Sequence, residues 1–132
     1  MIESKLTLDI LDLFFDGEKD AELFKMQIKH LTIVEIEYTG IGAFITFESD
    51  KEIYKYKANS DSVNENRLTI LDGIVLKNKD LNIEANVMIS VDDGIIESIE
   101  IFNSNGFEYP KYELEHYEIN QNWENFNRKI IR

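Results

Sequence analysis

Between Ile83 and Phe102 the chain alternates on both sides of an Asp-Asp-Gly triplet, and this most constrains its fold. Ile83, Ala85, Val87, Ile89 and Val91 face one way, and Glu84, Asn86, Met88 and Ser90 the other, because successive strand side chains point to opposite faces. Asp92-Asp93-Gly94 turns the chain, and Ile95 to Phe102 returns as a second strand. A lone hairpin is marginal in water, so the remaining residues must extend the sheet and cover its apolar face.

Several segments read as those further strands. Thr32 to Thr39 sets Val34, Ile36 and Tyr38 against Glu35, Glu37 and Thr39, the pattern of a half-buried strand. Gly40-Ile41-Gly42 turns into a strand over Ala43 to Glu48, and Ser49-Asp50 turns again toward Ile53-Tyr54-Lys55-Tyr56. Leu68 to Leu76 is apolar on both faces and is broken by Asp72-Gly73, where a bulge or bend is expected. Residues 58–66 read as a polar loop, Asn103-Ser104-Asn105-Gly106 as a turn, and Tyr112 to Ile119 as a final edge strand able to pair with a second copy.

Two helices precede the strands. From Ser4 to Phe15, Leu6, Ile10, Leu13 and Phe14 recur at spacings of 4, 3 and 1, with Leu8 and Leu11 widening the stripe. Ser4 is the expected N-cap and Gly17 the stop. Asp20 to His30 repeats the pattern with Leu23, Phe24, Ile28 and Leu31. At the other end, Ile119, Trp123, Phe126 and Ile130 would line one face of a short helix, bringing Arg128, Lys129 and Arg132 near acidic neighbours. The expected architecture is α+β, with two N-terminal helices packed on a mostly antiparallel sheet of five to seven strands, in a single domain over residues 1–132.

Charge narrows the function classes. Twenty-six acids against fourteen bases give −12. Residues 120–132 carry one acid and three bases, so residues 1–119 hold −14. Such a surface repels phosphate backbones and anionic membranes, which argues against nucleic-acid and membrane partners, and it attracts a basic protein. The absence of cysteine and of a basic, uninterrupted apolar leader near Met1 leads us to expect a cytoplasmic protein.

The sequence offers little catalytic chemistry. Two histidines, His30 and His116, with no cysteine provide few metal ligands or nucleophile partners. Asp92-Asp93-Gly94 lacks the alternating ligands and distal glutamate of a calcium loop. Gly40-Ile41-Gly42 leads into a strand, whereas a phosphate-binding glycine loop opens a helix. We therefore expect no catalytic residue, metal or cofactor.

Thr39-Gly40-Ile41-Gly42-Ala43-Phe44, preceded by Gln27-Ile28 and followed by Glu84-Ala85-Asn86, Asp93-Gly94, Ile99-Glu100 and Glu108-Tyr109-Pro110, resembles the motif order of a family of small uncharacterised bacterial proteins. The resemblance spans roughly residues 20–110, with Ala43 where that family has an aromatic residue and Tyr109 where it has tryptophan. Some of its look-alikes resemble immunity proteins of bacterial toxin systems. The resemblance implies a fold more than an activity.

Two functional expectations follow. One is a non-enzymatic acidic interaction domain, in the form of an immunity-type inhibitor of a basic toxin, with Glu35, Glu37, Glu48, Asp50 and Glu52 as contacts. The other is a small-ligand domain with Tyr38, Phe44, Tyr54, Tyr56 and Trp123 around a cleft between sheet and helices. The sequence leaves both a monomer and a homodimer open.

Overall fold

A computed structural model describes residues 1–58, 68–123 and 127–132. Helix α1 covers Lys5–Phe14 and α2 Ala21–Gln27, followed by a single 3-10 turn over Ile28–His30. The strands are β1 (Leu31–Tyr38), β2 (Gly42–Ser49), β3 (Leu68–Asn78), β4 (Ile83–Asp92), β5 (Ile95–Asn103), β6 (Glu118–Gln121) and β7 (Lys129–Ile131). They form one seven-stranded antiparallel sheet in the order β1-β2-β5-β4-β3-β6-β7. The fold is α+β.

Ser4 caps α1 as expected, its Oγ accepting from the Thr7 N–H at 3.1 Å. Leu6, Ile10, Leu11, Leu13 and Phe14 are buried, whereas Leu8 stands outside the stripe. These helix residues join one hydrophobic cluster with two rows of the sheet, Ile45–Ile99–Ile89 and Ala43–Ile101–Val87–Ile74. Each fully buried side chain of this size contributes about 1.5–3 kcal/mol of transfer free energy. Phe15 and Phe24 stack with ring centroids 4.4 Å apart, linking the end of α1 to α2.

The bulge expected at Asp72-Gly73 is present, since the register of β3 on β4 shifts between Leu71 and Ile74. Gly73 sits at φ 116°, a conformation that side chains rarely adopt. The Trp123 indole occupies the space that a Cβ on Gly73 would need.

Three sequence expectations are corrected. Tyr112 to Ile119 is not a strand: regular pairing starts at Glu118, and the sheet edges are β1 and β7. Tyr109, Leu114 and Tyr117 are buried at spacings of five and three, so this segment wedges irregularly into the core instead of alternating. The tail is not a helix in the described residues. Ile119 and Ile130 meet as cross-strand partners in β6 and β7, while Phe126 lies outside the described residues. Lys51–Tyr56 is a 3-10 turn rather than an extended segment, capped where the Asp50 carboxylate accepts from the Glu52 N–H at 2.9 Å. Of the proposed polar loop, residues 59–66 lie outside the described residues, whereas Ala58 is buried.

The basic tail still reaches acidic neighbours, through strand pairing. Arg132 donates to both oxygens of Asp9 at 2.9 and 3.0 Å, and the Tyr117 hydroxyl donates to the same carboxylate at 2.6 Å. The Arg132 bond holds the Asp9 carboxyl below its ordinary range against the upward pull of burial, with Tyr117 adding to the effect. Arg128 bonds Asp12 at 2.9 Å and also Asp16, which Lys25 engages from α2. Burial pulls Asp16 upward, but Lys25 and Arg128 together outweigh it. These bonds tie the C-terminal strand to α1 and its C-terminal end.

Candidate functional site: the open face of the sheet

Cross-strand partners fix which side chains share the face opposite the helical core. Glu37, Phe44, Glu100 and Met88 stand in one row across β1, β2, β5 and β4. The next row on that face runs Gly42, Phe102, Asn86, Val75 and Asn120. Still on this face, beyond the first row, Glu35 opposes Thr46, which opposes Ser98, and Glu48 opposes Thr32. Phe44 is 37% and Phe102 40% exposed, large apolar surface in contact with water.

Glu35, Glu37 and Glu48 are exposed; Glu37 and Glu100 flank Phe44 in its row, Glu35 lies one row and Glu48 two rows further along, and no ion pair engages these four among the described residues. The other two predicted contacts differ. Asp50 bonds His30 Nδ1 at 3.0 Å, and that bond holds its carboxyl below the usual range. Glu52 pairs with Lys55 at 2.5 Å one turn along the 3-10 segment. Three of the five acids therefore share the open face, while two serve the turn beyond β2.

The five aromatic residues expected to line one cleft do not converge. Tyr38 opposes Ala43 and points to the helical side, opposite to Phe44. Burial, reinforced by Glu113, pushes the Tyr38 hydroxyl up. Tyr56 stacks on His30 with centroids 5.6 Å apart, Tyr54 is exposed on the 3-10 turn, and Trp123 stands against Gly73. The void between helix and sheet beside Tyr38, bounded also by Leu6, Ile45 and Tyr109, holds only about 10 Å³. Ligand sites typically offer roughly 300 Å³ or more.

Among the described residues His30 is the one histidine bonded to a carboxylate, but its contacts connect local structure. Asp50 N–H donates to the His30 carbonyl at 3.2 Å while the imidazole meets the Asp50 side chain. Among the described residues no group of three His, Asp or Glu side chains is placed to hold a metal ion. No helix among them is long and apolar enough to cross a membrane.

Sequence reasoning selected Glu35 and Glu37 from their alternation but passed over Glu100, Met88 and Phe102. Apolar residues at the polar positions of a strand were the available signal: Met88 sits among Glu84, Asn86 and Ser90. Comparison with protein-family models, curated proteins and solved structures found no match for this chain.

Proposed function

We propose that this chain is a non-enzymatic interaction domain that docks a basic protein on its open sheet face, most concretely as a cytoplasmic, immunity-type inhibitor of a basic bacterial toxin. The helices cover one side of the sheet and leave the other for the partner. The observation that carries this reading is that unpaired Glu35, Glu37, Glu48 and Glu100 share one sheet face with the exposed rings of Phe44 and Phe102, Glu37 and Glu100 beside Phe44 itself.

An apolar centre inside a charged rim is the usual anatomy of a recognition surface, because the centre supplies burial and the rim supplies selectivity and encounter rate. The charge also selects against a face-to-face homodimer, in which these acids would meet their own copies. The β1 edge is similarly poor for self-pairing, since the register shift between Ile33 and Glu35 interrupts its ladder and its glutamates repel.

Carboxylate labelling tests the location directly. Affinity capture supplies the basic partner, and a carbodiimide with an amine tag is then applied to free and bound protein. Glu35, Glu37, Glu48 and Glu100 are expected to lose labelling in the complex, while Glu3 and Glu22 stay reactive. Protection centred on α2, or none on the four glutamates, refutes this docking surface.

A further inference from the structure

The same sheet face contains a recess of about 350 Å³ over the β3 bulge, bounded by Asp72, Gly73, Asn86, Met88, Phe102 and Asn122 among others. It adjoins the acidic surface: Phe102 is the cross-strand partner of Asn86, and Met88 that of Glu100. Its volume falls within the range of small-group binding sites, roughly 300–1,000 Å³.

Its lining has a definite chemical character. Asp72 contributes a carboxylate, Asn86 and Asn122 contribute amides, and none of the described lining residues is cationic. No hydrogen bond or ion pair engages these three side chains among the described residues. Phe102 presents a half-exposed ring. The Asn122 N–H donates to the Gly73 carbonyl at 2.8 Å and fixes this wall of the recess, while the Trp123 indole fills the space beside Gly73. Trp123, the only tryptophan in the chain, abuts Gly73 at the border.

We infer that this recess is a socket for an arginine side chain of the basic partner, an assignment that rests on the docking reading above. A guanidinium offers five N–H donors in a planar fork, enough to satisfy a carboxylate and amide oxygens together. Its flat, weakly hydrated face also suits stacking on the Phe102 ring. An ammonium matches the charge but not the planar fork, and a neutral isostere matches the shape but not the charge.

Titration of the intact protein with N-acetyl-arginine amide, N-acetyl-lysine amide and N-acetyl-citrulline amide tests the socket, read by Trp123 fluorescence and by NMR shifts of the Asn86 and Asn122 side-chain amides. Arginine amide is expected to saturate on the order of millimolar, as a single side chain can. The citrulline compound is expected to bind about tenfold more weakly, and Asp72→Asn to erase that difference. Equal binding of arginine and citrulline compounds, or no saturable shift at Trp123, Asn86 and Asn122, overturns the assignment. The two readings fail separately. If Asp72→Asn leaves capture of the basic partner unchanged while Glu35→Lys abolishes it, the socket falls alone. If arginine amide binds but the four glutamates are not protected in any complex, the socket stands and the docking face falls.

Discussion

Replacing Gln27 with leucine is expected to destabilise the fold by about 3–5 kcal/mol, read from the midpoint of urea unfolding. Gln27 is fully buried near the end of α2. Its Nε2 donates to the carbonyls of Tyr56 at 2.9 Å and Gly94 at 2.8 Å, and its Oε1 accepts from the Ile96 N–H at 2.9 Å. One side chain thus satisfies backbone groups from the 3-10 turn, the β4–β5 hairpin and the start of β5. Leucine fits the volume but bonds none of them, and each stranded buried group costs about 1–3 kcal/mol. Gln27→Glu should also destabilise at neutral pH, because a carboxylate keeps the acceptor but turns negative charge toward two carbonyl oxygens. A loss below about 1 kcal/mol for Gln27→Leu would show that water replaces the amide, and that Gln27 does not hold the three segments together.

The second large effect is expected from Gly42→Ala. A Cβ at Gly42 would lie 1.7 Å from the Ile101 carbonyl oxygen and 2.8 Å from its carbon, both backbone atoms of β5. No rotamer change can relieve that contact, so β2 must move away from β5. The move would disturb the Ala43–Ile101 and Ile45–Ile99 pairs, which are core contacts. Overpacking of this kind costs about 3 kcal/mol when the neighbour is unyielding, equivalent to a fall in Tm of roughly 10 °C for a chain of this size. It also displaces the hairpin carrying Glu35, Glu37, Phe44 and Glu48, so stability and partner binding should fall together. An unchanged Tm would mean that β2 and β5 are less closely apposed.

How much of this was legible in the sequence follows from the range of each interaction. Helix α1, the β4–β5 hairpin and the bulge at Asp72-Gly73 depend on local periodicity and turn chemistry, and all three are present. The joining of β2 to β5 links residues more than fifty positions apart and rests on close approach at Gly42, which no local pattern displays. The tail misled because Ile119 and Ile130 satisfy a helical spacing and a cross-strand pairing equally well; the unpaired edge of β3, which β6 completes, decided for pairing. The candidate site was half legible. Alternation placed Glu35 and Glu37 on one side of a strand, but only the sheet order brings Glu100 and Phe102 beside them. Gln27 was a polar residue beside the apolar stripe of a helix, and its three backbone partners are distant in sequence.

The most direct test of the docking surface is the affinity of the captured basic partner for the double variant Glu35→Lys/Glu37→Lys, compared across salt with the control Glu3→Lys/Glu22→Lys. Both doubles change net charge equally, and all four residues are exposed, so global attraction falls alike. The predicted result is a loss on the order of 100-fold for the first double at low salt, shrinking as salt screens the contacts, with a much smaller loss for the control. Equal losses in the two doubles would show that only net charge matters, and would contradict a binding face on the open side of the sheet.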